Sequence, residues 1–455
     1  ASCSTTNTDT TGCSAFDTCY SGTNTYFTCT ACDSGYTLTG DKCIKDVPTC
    51  GANAHPEGNT CVCDTGYSGD PIAGCTLVIP EKSDPQYLLK EVTETSHSYT
   101  NPNNLYQDIY GIYYNQNVIK NSQLQGMELG VINNAEIQIT NSAPYPNTIY
   151  GMYSTAEQDK IGTKPLGAVI NAEETSYRKG KKQTTPLTST GTIIINDQAG
   201  TGAIYGIYAP NEPAINAIAR INGLKDADPG PSAIGTITIT TNATKTAGDV
   251  YGMYGAGVVN AITVRGYKAN GTINITNHRD ANVYGMYSSL SSQALRFNLT
   301  ATNSFPDGSP SIISVNNNNV HTISVDNGLI KGAHVIAAFN AGVAHNSTCD
   351  VCSNNPRTKG IIDIKNYGSG TVKGIHSEYT AANYATYYWD GDKGTEKRSG
   401  VITITNNGNG ASYGIYAKDW ATSILLPKLA LSLLTSTLTS DITINHKGIG
   451  TATGI

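Results

Sequence analysis

The chain has 455 residues, 38% of them hydrophobic and only 14% charged, with a net charge of −6 and 47 glycines. An average domain carries about 45–50% apolar and about 25% charged residues. That composition excludes the charge-rich signature of disorder, and the negative balance excludes a basic nucleic-acid-binding face.

The chain starts at Ala1 rather than Met, which reads as a mature end left by signal-peptide removal. Cys3 is not the first residue, so no lipoprotein anchor is expected there. Ten of the twelve cysteines crowd the first 75 residues: Cys3, Cys13, Cys19, Cys29, Cys32, Cys43, Cys50, Cys61, Cys63 and Cys75. An even, dense set with almost no apolar residues around it predicts a head held by disulfides. Disulfides require an oxidising compartment, so the expected location is extracellular or at a cell surface. Zinc would need clustered cysteine pairs with histidine in register, and His55 alone does not supply them. No metal and no cofactor are expected.

The run Cys61-Val62-Cys63-Asp64-Thr65-Gly66-Tyr67-Ser68-Gly69, closed by Cys75, resembles the second half of an EGF-like module. Cys29, Cys32, Gly35, Tyr36, Gly40 and Cys43 repeat the theme with one extra residue between the first two cysteines. The resemblance implies pairing of Cys63 with Cys75 and of Cys32 with Cys43. It also implies two modules, residues 1–48 and 49–79, the second with four cysteines where a full EGF domain has six. Before the second module, Lys45-Asp46-Val47-Pro48-Thr49 offers one carboxylate, too few for calcium, which takes six or more oxygens. Residues 80–100 read as a linker.

From about residue 101 to 455 the chain is a repeat array. Tyr-Gly-(Ile or Met)-Tyr begins at Tyr110, Tyr150, Tyr205, Tyr251, Tyr284 and Tyr413, with weaker copies at Lys331-Gly332-Ala333-His334 and Lys373-Gly374-Ile375-His376. Most copies follow an alternating strand that ends in Asn or Asp, such as Ile137-Gln138-Ile139-Thr140-Asn141 or Ile402-Thr403-Ile404-Thr405-Asn406. A looser apolar segment often comes next, over residues 214–221, 258–264, 294–299 and 335–339. Three short strands and their turns fill the 33 residues between Tyr251 and Tyr284, and longer intervals hold insertions such as residues 156–186. A propeller blade needs four strands in ~40–45 residues, and a sandwich about 100 residues per unit. The spacing therefore predicts an all-β fold: a parallel β-solenoid of about eight repeats behind a small disulfide-rich head. Period-two alternation should bury Ile137, Ile139, Ile193, Ile195, Ile237, Ile239, Ile273, Ile275, Ile402 and Ile404. The Asn that ends the strand suits a corner, where it tolerates left-handed φ and can stack its amide in register. Glycine in the tyrosine element allows a bend or a close backbone approach.

Repeats of Tyr-Gly-Ile-Tyr alternating with Ile-Thr-Ile-Thr-Asn-Asn resemble the passenger regions of bacterial autotransporter-type surface proteins, which fold as parallel β-helices. This resemblance implies a bacterial outer surface, adhesion or structural roles, and a translocator barrel downstream.

The remaining features are local. The basic run Arg178-Lys179-Gly180-Lys181-Lys182 reads as a solvated insertion loop. No stretch reaches the ~18 apolar residues of a transmembrane segment; residues 424–438 are broken by Pro427 and Lys428. Cys349-Asp350-Val351-Cys352 reads as a small disulfide staple, Cys349 to Cys352, closing an insertion. Tyr384, Tyr387, Tyr388 and Trp389 crowd another insertion and form a candidate ligand-binding patch for a sugar ring, unless they simply cap a neighbouring coil. No catalytic residues are evident, because Asp363 and Asp441 fall at different register positions and polysaccharide hydrolysis needs two carboxylates close together. The chain stops at Ile455 part-way through a further weak copy, so either more chain follows or another molecule stacks there. The expected function is that of a non-enzymatic extracellular protein, an adhesin or a filament subunit assembled head to tail. A carbohydrate-binding or polysaccharide-cleaving β-helix is the alternative. Expected partners are a second copy of the chain, or host or neighbouring-cell glycans or proteins, with no nucleic acid.

Overall fold

A computed structural model of the chain describes residues 6–46, 48–58, 60–89, 95–114, 131–155, 169–175, 177–178, 181–182, 188–220, 232–242, 246–264, 268–288, 322–325, 330–334, 338–345, 357–378, 380–385, 399–418, 420–425 and 439–455. These form two units, Ala1–Glu81 and Lys82–Ile455. All regular structure among the described residues is β.

The head is a set of antiparallel hairpins, from Cys13–Ser21 with Asn24–Cys32 through Gly74–Leu77. Its buried side chains among the described residues are Asn7, Cys19, Cys29, Cys61 and Cys75, so sulfur stands in for a hydrophobic core. Cys13 bonds to Cys29, Cys32 to Cys43, Cys50 to Cys61 and Cys63 to Cys75. The second and fourth of these are the pairs the EGF-like resemblance implied. Cys19 is also disulfide-bonded, while Cys3, Cys349 and Cys352 lie outside the described residues. Closing loops of 11 to 16 residues removes chain entropy from the unfolded state, about 3 kcal/mol for a 15-residue loop. That is how so apolar-poor a segment stays folded.

The second unit is a parallel β-solenoid with three faces. The isoleucine face is an eight-stranded sheet running from His97–Asn101 through Glu136–Asn141 and Ser232–Thr241 to Thr439–His446. Every pairing in it is parallel and in register. The tyrosine face stacks strands such as Ile109–Tyr114, Ile149–Ser154 and Val283–Ser288, again in parallel. The third face is built from Val131–Ile132, Val169–Thr175, residues 214–220 and 258–264, Ala338–His345, Thr380–Ala385 and Trp420–Leu425. All ten isoleucines expected inside are buried, at most 1% exposed. One fully buried isoleucine contributes roughly 1.5–3 kcal/mol, against about 1–2 kcal/mol per residue for ordering the backbone. A lone coil is marginal on those terms, and stacking is what makes the array stable.

Two asparagine ladders run up the interior. At the end of the isoleucine face, Asn101 Nδ2 donates to Asn141 Oδ1 at 2.8 Å, Asn277 to Asn366 at 3.2 Å and Asn366 to Asn406 at 2.9 Å. On the third face, Asn133, Asn171, Asn216, Asn260, Asn340 and Asn383 form an unbroken chain of such bonds at 2.8–2.9 Å. Each of the last five also donates to a glycine carbonyl at the start of an isoleucine strand, as Asn216 does to Gly235 at 3.1 Å. A Cβ on Gly235 would collide with the Asn216 carbonyl oxygen, so the strand can only come this close as glycine. In the tyrosine element, Gly206 likewise has the Gly252 carbonyl and Ile237 where a side chain would go.

The first ladder changes composition at two places, in mid-array and at its last rung, where His446 stands opposite Asn406. Asp197 and Thr241 take the asparagine positions on two successive coils. A carboxylate accepts from Asn141 at 2.7 Å but has no N–H to pass upward. Arg279, rising from the next coil, is fully buried and ion-paired with Asp197, and its Nη1 donates to the Gly202 carbonyl at 2.5 Å. Ala143, Gly368 and Gly408 occupy the equivalent place after Asn141, Asn366 and Asn406, so Arg279 is an oversized residue in a corner of small ones. The short Thr241 side chain, on the coil between, still donates to Asn277 Oδ1 at 2.8 Å. Burial pulls the Arg279 pKa down to about 10.

Four expectations are corrected. The corner asparagines do not take left-handed φ, since Asn53 in the head is the one non-glycine with positive φ among the described residues; their place rests on the amide ladder. Residues 80–100, read as a linker, supply Gln86–Leu89 to the tyrosine face and His97–Asn101 to the isoleucine face. The weak copy at Lys331 is not a rung, because Ile330–His334 pairs antiparallel with Thr322–Val325. The insertion 156–186 contains a third-face strand, Val169–Thr175, and part of its basic run forms a short antiparallel ribbon, Tyr177–Arg178 with Lys181–Lys182.

Substituting Asp197→Asn alone leaves a buried guanidinium uncompensated and is expected to destabilise the solenoid by about 3–5 kcal/mol in denaturant melts. Combining it with Thr241→Asn and Arg279→Ala rebuilds a continuous asparagine ladder, and most of that loss is expected to be recovered.

Candidate functional site

The outward sides of the same coils differ sharply. On the isoleucine face they carry Thr236, Thr238, Thr240, Asn270, Thr272 and Asn274, the polar residues that a solvated sheet requires. On the tyrosine face every rung from Gln86–Leu89 to Val283–Ser288 presents an aromatic side chain outward.

These tyrosines stand in two columns. In the first, Tyr87, Tyr110, Tyr150, Tyr205, Tyr251 and Tyr284 stack face to face, with centroids 4.8–5.2 Å apart. In the second, Tyr113, Tyr153, Tyr208, Tyr254 and Tyr287 do the same at 4.9–5.3 Å. The pitch is that of the sheet itself, ~4.8 Å between strands. Neighbouring columns meet edge to face, as Tyr150 and Tyr153 do at 4.8 Å, so the surface is a continuous aromatic herringbone. In the first column, burial above all, with neighbouring phenols and the carboxylates of Asp108 and Asp249, holds the Tyr150, Tyr205 and Tyr251 hydroxyls protonated well above the ordinary tyrosine range. The face therefore stays uncharged and offers ring edges and hydroxyls to a partner.

Both columns break at the same rung. Lys373 stands where Tyr284 and Tyr413 stand on the coils to either side, and His376 where Tyr287 and Tyr416 stand. The Lys373 ammonium lies 3.9 Å from the Tyr416 ring centroid and 5.7 Å from that of Tyr284, and 3.4 Å from His376 Nδ1. The imidazole packs against Tyr287 at 4.5 Å and Tyr416 at 5.1 Å. Its Nε2 is 3.2 Å from Glu378, whose other oxygen is ion-paired with Lys418. Burial, reinforced by the Lys373 charge, lowers the His376 pKa from 6.5 to about 4. Burial also pushes the Glu378 carboxyl up, but Lys418 and His376 outweigh it and leave the pKa lowered. Burial lowers the Lys373 pKa too. The rung and Lys418 of the next coil thus hold two ammonium groups, one carboxylate and a neutral imidazole at neutral pH.

The residues singled out in the sequence do not meet here. Tyr384 lies on a third-face strand, its backbone paired with Ala341 and Ile424, and Tyr387, Tyr388 and Trp389 lie outside the described residues. Asp363 and Asp441 fall in separate columns, opposite Thr403 and Val401 respectively. Lys373 and His376 were legible only as a weak copy of the tyrosine motif. What could have flagged them is that a lysine and a histidine replace both tyrosines together while the Gly and Ile between them stay.

A buried histidine with a lowered pKa stabilises the fold fully above 6.5 and loses that contribution as pH falls towards about 4. The groups facing it are Lys373, Glu378, Lys418, Tyr284, Tyr287 and Tyr416. Thermal melts between pH 7 and pH 4 are expected to show a loss of roughly 2 kcal/mol that His376→Tyr removes.

Comparison with known protein families, with curated proteins and with solved structures finds no match for this chain.

Proposed function

We propose that this chain is a non-enzymatic extracellular protein that works through its tyrosine face, as an adhesin or as the subunit of a filament assembled head to tail. A bacterial outer surface, as for the autotransporter passengers that its repeats resemble, is the setting we favour. The disulfide-bonded head supports an oxidising, extracellular environment. The observation that carries the reading is the pair of outward tyrosine columns, kept in register over five or more coils. Folding alone does not demand them, because the outer side of the isoleucine face on the same coils carries mostly threonine and asparagine, with aliphatic Ile194, Ile234, Ile361 and Val401 among them and no aromatic column. The rings shield one another and are part-buried, with Tyr110 buried, yet the columns form an extended aromatic outer face, and such a face is the usual mark of an interaction site.

The alternative is a carbohydrate-binding or polysaccharide-cleaving β-helix. The aromatic surface is compatible with sugar binding, while hydrolysis would need paired carboxylates about 5–9.5 Å apart. Asp363 and Asp441, the two considered, belong to different columns.

Replacing Tyr153, Tyr208 and Tyr254 with serine keeps the backbone register and removes the three middle rings of the second column. Purified wild-type chain is expected to adhere to cells or to form filaments under electron microscopy, and the triple variant to do so about tenfold less well. A wild-type chain that neither adheres nor assembles, or a triple variant that matches it, contradicts the reading.

A further inference from the structure

We infer that the interrupted rung at Lys373 and His376 is a binding site for an acidic sugar, one that carries a carboxylate or a sulfate group. The inference rests on the adhesin reading and gives that surface a ligand class.

The first support is that nothing in the backbone asks for the interruption. Tyr284 and Tyr287 on one side, and Tyr413 and Tyr416 on the other, occupy the same two register positions on strands paired in parallel. Tyrosine therefore fits at 373 and 376, and the rung forgoes its ring stacking for a lysine and a histidine. Departures from a local rule that the fold does not need are where function is expected.

The second is charge. The Lys373 ammonium is half-buried among tyrosine rings and makes no ion pair among the described residues, whereas the Lys418 ammonium is joined to Glu378. The neutral imidazole adds no charge, so Lys373 and Glu378 with Lys418 of the next coil carry a surplus of one positive charge on a chain of net −6. An anionic group is the complement, and a half-buried ammonium is screened less by salt than a fully exposed one.

The third is shape. In the first column Tyr110, Tyr150, Tyr205 and Tyr251 each have a tyrosine against both faces, as Tyr251 has Tyr205 and Tyr284, each at 4.8 Å. Tyr284 has Tyr251 on one face, and towards the next coil it has no stacked tyrosine but the Lys373 ammonium and the tilted His376 ring, each 5.7 Å away. An aromatic face beside an ammonium suits a pyranose ring that bears an anion. The Glu378 carboxylate and the Tyr287 hydroxyl, 3.5 Å apart, stand near enough to take sugar hydroxyls.

The test uses the full chain and three probes: oligogalacturonate for carboxylate, dextran sulfate for sulfate, and neutral dextran. Lys373→Tyr with His376→Tyr restores the repeat motif and is expected to fold at least as stably as the wild type. Lys373→Gln keeps the side-chain length without the charge. Wild-type chain is expected to bind at least one acidic probe, more weakly as salt rises, and not neutral dextran. Both variants should bind about tenfold more weakly or worse. Equal binding by wild type and variants, equal binding of neutral dextran, or no binding of either acidic probe overturns the site. Cell adhesion of the same proteins separates the two readings. If wild-type chain adheres but binds neither acidic probe, the acidic-sugar site fails while the surface reading stands.

Discussion

The solenoid depends on a side chain that can repeat itself. An asparagine amide donates from Nδ2 and accepts at Oδ1, so a column of asparagines can pass one hydrogen bond from coil to coil without leaving a buried polar atom unsatisfied. Asn171, Asn216, Asn260, Asn340 and Asn383 do this at zero exposure while tying each third-face strand to the isoleucine strand that follows it. Isoleucine supplies most of the burial, but burial is non-directional. The amide ladders are what fix one coil directly over the next.

That constraint reaches the surface. Once coils stack in register, any residue repeated on the outside also becomes a column, and the tyrosines fall into herringbone contact at the sheet's own pitch. It also makes exceptions informative. Asp197, Thr241 and Arg279 form one compensated exception inside, in which a charge, a small residue and a long cation replace what asparagine does elsewhere. Lys373 and His376 form another outside, where the imidazole meets Glu378 but the Lys373 ammonium makes no ion pair among the described residues.

Much of the fold was legible because alternation is a strong signal. Ile402-Thr403-Ile404-Thr405-Asn406 states its inward face, its outward face and its corner within five residues. The third face was harder to read. Short alanine-rich segments such as Ala214-Ile215-Asn216-Ala217 and Val258-Val259-Asn260-Ala261 show no clear period, and their central asparagine looks like an interruption when it is the point of attachment. The Lys331 segment misled for the opposite reason: its Lys-Gly-Ala-His spelling matches a rung. What the spelling does not carry is its partner, since it pairs antiparallel with Thr322–Val325, just upstream, and not with a rung of the stack. Gln86–Leu89 escaped notice because it has the tyrosine without the glycine. The site itself was illegible in sequence, since the significance of Lys373 and His376 comes from the coils stacked on either side.

The most direct measurement of the central claim is the stability and amide exchange of Asn216→Leu, which keeps the branched side-chain shape but removes the amide. Asn216 accepts from Asn171 and donates towards Asn260, Gly235 and Thr272. The account expects a loss of about 3 kcal/mol or more, with protection falling in the strands 188–197, 232–241 and 268–277 together. A change within about 0.5 kcal/mol, the size of an ordinary surface substitution, with exchange altered at residue 216 alone, would contradict it.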